Sequence, residues 1–295
     1  MTTLTPTPAT TGSVTSHDGT TIGYRRIGSG PGVVILHGAM EHSGSHVQLA
    51  AALADTFTVY LPDRRGRGLS GPYQPDHRIQ TDIDDMDAVL TQTGAAHNVF
   101  GVSSGALIWL HAARVLPAIR RAVIFEPPLL VAADSLALMK RFDEEIARGK
   151  VAAALVTGMK AGRFAPPLFD LIPRFVLERL TSAMLASEDK RAEPDDVTVR
   201  TLAPLLRYDF QLVADSQGMF DRFADTHADV LLLNGGASPE YLRASVDALV
   251  PIFPRAERVV LEGLGHSASG NRGDQMTGRG ADPERVAREL RRFFS

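Results

Sequence analysis

The sequence predicts an α/β fold: a mostly parallel, doubly wound sheet interrupted by one inserted all-helical segment. Three observations carry that prediction. Short continuous apolar runs (Val33 to Leu36, Ala122 to Phe125, Val230 to Leu233) alternate with stretches of helical length, and a run apolar at every position suits a strand covered by helices on both faces. Residues 129–226 break the rhythm with helical segments and no β-branched runs. Between the two patterns, Gly101-Val102-Ser103-Ser104-Gly105 ends an apolar run and opens a helix-forming one.

Taken in order, the chain begins with a Thr/Pro-rich lead, residues 1–14, which lacks the apolar stretch of a signal peptide and is expected to be disordered. Thr20 to Ile27 reads as a strand, and the glycine-rich cluster 28–32 as a turn. The buried run at 33–36 leads into His37-Gly38-Ala39-Met40, followed by an amphipathic stretch at 46–54. A strand at 57–62 gives way to the polar loop Asp63-Arg64-Arg65-Gly66-Arg67-Gly68-Leu69-Ser70-Gly71, and a helix is expected over 79–93. After the helix at 106–115, the run 122–125 closes on Glu126-Pro127-Pro128. The insertion offers helices near 136–148, 151–159, 169–186 and 198–206. The sheet pattern returns at 230–233, with a helix at 239–250, a strand at 258–261, a polar loop at 267–281 and an amphipathic helix at 283–294. Trp109 falls in the helix after the glycine–serine turn and is expected in the core.

Composition narrows the function. With 34 acidic and 31 basic residues the net charge is −3, so nucleic-acid binding is not expected. The absence of cysteine excludes disulfides, thiolate metal sites and a cysteine nucleophile. No apolar run reaches the length of about 18 residues that spans a bilayer. The expectation is a cytoplasmic protein acting on a small molecule, with no membrane or nucleic-acid partner; oligomeric state is not encoded legibly.

The chemistry concentrates at Ser103. A serine in a sharp strand-to-helix turn has its Oγ exposed and lies at a helix N-terminus, where backbone N–H groups favour developing negative charge. Glycine at 101 and 105 removes side chains that would collide around such a turn.

Four motifs in this order (His37-Gly38, Asp63-x-Arg65-Gly66-x-Gly68-x-Ser70, the Ser103 turn, and Gly265-His266) resemble the α/β-hydrolase family. The resemblance implies a core of residues 15–128 and 227–295, with 129–226 as a helical cap over a pocket at the strand ends. It implies Ser103 as nucleophile and His266 as general base. The oxyanion hole would use the backbone N–H of Ser104 together with that of Ala39 or Met40, the sequence not fixing which of the two. The usual acid position, after the run 230–233, holds Ser238 instead, a residue suited to capping the helix that starts with Pro239. Three arrangements stay open: Glu126 as the acid, at a strand end that certain haloalkane dehalogenases use; Glu240; or a serine–histidine dyad. His37, His42 and His46 lack accompanying carboxylate clusters, so no metal is expected, and no cofactor. Arg64, Arg65 and Arg67 read as a solvated loop, with contact to an anionic substrate as the alternative, and Asp63 and Arg65 as ties within it. Met139, Met159, Phe164, Phe169, Phe175, Met184 and Phe210 would give the insertion an apolar surface.

The function expected is a serine hydrolase of an ester, thioester or lactone of a small, largely apolar substrate. Alternatives are a cofactor-free cyclase, lyase, oxygenase or carbon–carbon bond hydrolase with His266 as base, or a ligand-binding member without catalysis.

Overall fold

A computed structural model describes residues 9–94, 97–130, 133–162, 171–274 and 280–295. It forms two compact units, residues 131–214 and the remainder, 1–130 with 215–295. Residues 1–8 of the expected lead, Phe164 and Phe169, and residues 275–279 of the polar loop lie outside the described residues.

The larger unit holds one eight-stranded sheet: β1 (Thr10–Thr15), β2 (Thr21–Ile27), β3 (Gly32–Leu36), β4 (Thr58–Pro62), β5 (Asn98–Val102), β6 (Arg121–Phe125), β7 (Asp229–Gly235) and β8 (Glu257–Leu261), in the order β1-β2-β4-β3-β5-β6-β7-β8. Strands β3 to β8 run parallel, while β2 pairs antiparallel with both β1 and β4. The helices are α1 (Val47–Leu53), α2 (Ile79–Thr93), α3 (Ser104–Val115), α4 (Ala133–Ala147), α5 (Val151–Ala161), α6 (Arg174–Asp189), α7 (Val199–Leu202), α8 (Leu206–Asp215), α9 (Phe220–Phe223), α10 (Glu240–Leu249) and α11 (Pro283–Phe294). The predicted mostly parallel, doubly wound sheet is therefore present.

Period-two alternation divides the apolar runs between the two faces. Val33, Ile35, Val59, Leu61, Phe100, Val123, Phe125, Leu231 and Leu233 pack with Leu49 and Leu53 of α1 and Val286, Leu290 and Phe294 of α11. The alternate positions Val34, Leu36, Val99, Ile124 and Leu232 are as fully buried; α3 packs on β5 and β6, and α10 on β7. Trp109 is in the core, its Nε1 donating to the Phe100 carbonyl at 3.0 Å.

One expectation is corrected. Residues 10–14, read as part of a disordered lead, belong to β1, which pairs with β2 from Thr10 opposite Arg26 to Thr15 opposite Thr21. Only Val14 of this strand is buried. An edge strand with one wet face needs no apolar run, and its β-branched threonines supply the strand preference.

In the helical unit, Glu145 of α4 ties three helices together: it accepts from Thr157 Oγ1 of α5 at 2.6 Å and from Arg174 Nη2 of α6 at 2.7 Å. Phe175 and Met184 stand exposed on α6, at 72% and 43%. Among the described residues no helix is long and apolar enough to cross a membrane.

Candidate active site

Ser103 ends β5 with φ 56° and ψ −123°, a conformation that non-glycine residues hold only when the surroundings enforce it. They do so here. Its N–H donates to the Phe125 carbonyl at 2.9 Å, and its own carbonyl accepts from Ala106 and Leu107 at 3.0 and 3.2 Å, starting α3. The glycines fit the reason given for them. A Cβ on Gly101 would meet the Gly105 carbonyl oxygen at 2.6 Å, and one on Gly105 would meet the Leu36 carbonyl oxygen at 2.5 Å. Ser103 is 7% exposed.

Among the described residues, the non-glycine residues with positive φ are Met40 (56°), Ser103 (56°) and Glu126 (51°). They follow β3, β5 and β6, three adjacent parallel strands, so the strained backbone gathers at one end of the sheet, where ligands of such folds bind.

Glu126 is fully buried. Its Oε2 lies 2.6 Å from His266 Nδ1, and its Oε1 accepts the N–H of Gly235 at 2.7 Å. A carboxylate oxygen is the natural acceptor of this contact, so Nδ1 is its donor and Nε2 is the ring's second nitrogen. Glu240 is exposed in the first turn of α10, and it is Glu126 that holds the imidazole. Ser238 does not cap α10 as its sequence position suggests: Pro239 is the capping residue. The Ser238 side chain is instead buried, its Oγ without a hydrogen-bond partner among the described residues.

The His37-Gly38 turn lies against the serine: a Cβ on Gly38 would fall 3.0 Å from Cβ of Ser103. His37 donates from Nδ1 to the Gly38 carbonyl at 2.9 Å and accepts the Arg64 N–H at Nε2, at 3.2 Å. Burial first, then Arg67 and Arg64, hold this ring well below its ordinary pKa, in keeping with the neutral form these bonds require. Ala39 and Met40 follow, both half-buried. Ser104 opens α3, so its N–H belongs to the first turn, which has no acceptors within the helix. Its Oγ accepts from Arg64 Nη1 at 3.0 Å.

The arginines are not a solvated loop. Arg64, Arg65 and Arg67 are all within 2% of complete burial. Arg65 forms a bidentate pair with Asp85 of α2 at 2.7 and 2.8 Å and reaches Asp18 at 2.6 Å. The Arg65 guanidinium in turn holds the Asp18 carboxyl well below the usual carboxylate range. Asp63 accepts from Ser43 N–H and Oγ and from Leu69 N–H, at 2.6, 2.9 and 2.9 Å, tying two loops. Sequence reading also passed over Glu41, buried next to Gly38 and His46; its only signal was a carboxylate directly after the His-Gly-Ala-Met turn. Among the described residues no group of three or more His, Cys, Asp or Glu side chains is placed to hold a metal ion.

Comparisons with known proteins agree with the fold. The sequence model of the alpha/beta hydrolase family matches residues 33–287. The crystal structure of an alpha/beta hydrolase from Sphaerobacter thermophilus superposes with a TM-score of 0.74 at 32% identity, over 96% of this chain and 100% of that one. Among curated proteins, 2-(acetamidomethylene)succinate hydrolase of Mesorhizobium japonicum is 30% identical over 105 residues, 35% of this chain and 38% of that protein. Cis-3-alkyl-4-alkyloxetan-2-one decarboxylase of Shewanella oneidensis is 33% identical over 115 residues, 37% of this chain and 36% of that protein. The matched stretches thus span little more than a third of these curated relatives.

Proposed function

Because the chain belongs to the alpha/beta hydrolase family, we propose that it is a serine hydrolase acting on an ester, thioester or lactone of a small, largely apolar molecule. The observation that carries the reading is the 2.6 Å contact between His266 Nδ1 and the fully buried Glu126. It fixes the imidazole tautomer that a general base needs. In this reading His266 Nε2 takes the proton from Ser103 Oγ as the oxygen attacks the carbonyl carbon. The Glu126 carboxylate stabilises the imidazolium that results. The tetrahedral oxyanion is met by the Ser104 N–H and by the turn after β3. Within that turn the Gly38 N–H already serves Glu41 at 2.6 Å, which leaves the amides of Ala39 and Met40 for the role. Collapse expels the leaving group, protonated by His266, and water activated by the same base releases the acyl group.

The apolar substrate class is inferred from the composition of the helical insertion, which we take to act as the cap. No cofactor enters the mechanism, and the partner is a small molecule. A protein of cytoplasmic location fits the sequence and is part of the proposal.

The test is steady-state hydrolysis of p-nitrophenyl acetate and butyrate, a γ-lactone and a short acyl thioester. Loss of either Ser103 or His266 (Ser103→Ala, His266→Gln) is expected to lower kcat/KM by about 10³-fold or more. Full activity in Ser103→Ala would contradict the reading. The similarity to a decarboxylase supports one alternative, in which the site acts without acylation of Ser103. It predicts that a β-lactone is split into an alkene and carbon dioxide, with no net proton transfer and no acyl-enzyme.

A further inference from the structure

Glu41 and His46 form a buried pair beside this site, at 7% and 1% exposure. Glu41 Oε2 accepts the Gly38 N–H at 2.6 Å and lies 3.1 Å from His46 Nε2. On the far side of the ring, His46 Nδ1 is 2.9 Å from the carbonyl oxygen of Ser269. A carbonyl oxygen only accepts, so Nδ1 carries a hydrogen. The pair then needs a further proton between Nε2 and Oε2, since two lone pairs would otherwise face each other. Burial opposes a charge on His46, but the Glu41 carboxylate and the Ser269 carbonyl outweigh it and hold the ring above its ordinary value. Burial likewise opposes the charge on Glu41, and His46, the Gly38 N–H and His266 outweigh it. The proton therefore sits on the imidazole, and the pair is an imidazolium and a carboxylate. Among the described residues, the other charged or titratable groups acting on it include His37 and His42 of the segment after β3 and His266 and Asp274 of the loop after β8.

What the pair joins is informative. One end is the backbone of Gly38, pressed against Cβ of Ser103. The other is Ser269, three residues beyond His266. Asn271 adds a parallel seam: its N–H donates to the Ser45 carbonyl at 3.0 Å, its Nδ2 to the Gly44 carbonyl at 2.7 Å, and its Oδ1 accepts from the Gln48 N–H at 3.0 Å. Resting on the roles proposed above for Ser103 and His266, we propose that Glu41 and His46 are positioning residues of the reaction, a buried ion pair that clamps the oxyanion turn to the segment carrying the base. Neither touches the reacting atoms. By fixing the Gly38 amide, Glu41 sets the peptide planes that follow, which carry the Ala39 and Met40 N–H groups. By fixing Ser269, His46 sets the loop from which His266 reaches Glu126. Oxyanion stabilisation and proton transfer both act on the transition state, so loosening the clamp lowers kcat and leaves KM nearly unchanged.

The experiment uses the full chain and p-nitrophenyl butyrate, with Glu41→Gln, His46→Gln and the double variant, each checked for a native near-ultraviolet spectrum. A fluorophosphonate labelling rate is measured in parallel. The single variants are expected to lose about 10- to 100-fold in kcat, the scale of an ångström-sized misplacement, with KM within about twofold and labelling slowed in step. The double variant, whose two amides can make the Gly38 and Ser269 hydrogen bonds without a lone buried charge, is expected to recover part of the loss. If a single variant does not fold, the double variant is judged by the same kcat criterion. Folded variants with kcat within about twofold of wild type, or a loss confined to KM, would overturn the proposal. A wild type that takes up no label at Ser103 would instead remove the functional reading beneath it, and the two failures are distinct.

Discussion

Met40, Ser103 and Glu126 each hold a backbone conformation that costs on the order of 1–3 kcal/mol for a residue with a side chain. At Ser103 this gives a test that separates stability from activity. Ser103→Gly and Ser103→Ala both remove the proposed nucleophile, but only glycine relaxes the turn. Ser103→Gly is expected to be the more stable of the two by about 1 kcal/mol in urea unfolding, with activity absent from both. Equal stability would mean the turn stores no strain. At Glu126 the prediction concerns catalysis. Glu126→Gln keeps the shape and can still accept the Gly235 N–H, but it cannot stabilise an imidazolium. A loss of about 10²- to 10⁴-fold in kcat is expected, and a change within threefold would reassign the acid. The sequence allowed Glu126, Glu240 or none, because the usual position holds Ser238. The choice depended on which side chain meets His266, 140 residues from Glu126, and no local pattern encodes such a contact.

At the scale of elements, the β5–α3 junction depends on close backbone approach. Alanine at 101 or 105 would set a Cβ 2.5–2.6 Å from backbone atoms of α3 or β3, and a destabilisation of about 1–3 kcal/mol or more is expected by thermal unfolding. The Arg65 network makes a second prediction. It joins the loop after β4 to α2 and to the β1–β2 turn through Asp85 and Asp18. Arg65→Met strands the buried Asp85 carboxylate, and a loss of about 3–5 kcal/mol is expected. The same contacts show the limit of the sequence. Helix α2 was legible from Ile79 to Thr93, and in the structure it ends at Gly94 with φ 67°. Strand β1 was not, because a threonine-rich edge strand has no apolar signature. The arginines read as solvated because long-range partners, absent from any local window, are what bury them.

Across the whole molecule, buried histidines bracket the pH range of greatest stability, His111 together with His37 on the acid side and His46 on the alkaline side. His111 of α3 bonds Ser216 Oγ at 2.9 Å and is lowered from 6.5 to about 4, by burial first and then by Arg114. A depressed folded value leaves its contribution intact above about 6.5 and removes it as pH falls towards 4. His46 is raised above 6.5, so its contribution is complete below that pH and is lost as pH rises through the folded value. Tm is therefore expected to peak near the crossover of the two sides. His111→Gln should flatten the acid side and His46→Gln the alkaline side; a curve unchanged in both variants would contradict these assignments. The sheet, its helices and the serine turn were legible in the sequence because each is written in a short window of period, glycine and burial. The choice of carboxylate and the Glu41–His46 pair were not: Glu126 meets His266 across 140 residues, and Glu41 and His46, though near in sequence, are tied to Ser269 by a contact no local window shows. The central claim, an activated Ser103 served by His266 and Glu126, is tested most directly by intact mass after incubation with a fluorophosphonate. A single adduct in wild type, absent from Ser103→Ala and slowed in Glu126→Gln, is the predicted result; folded wild-type protein that gains no mass, or gains it equally in Ser103→Ala, would contradict it.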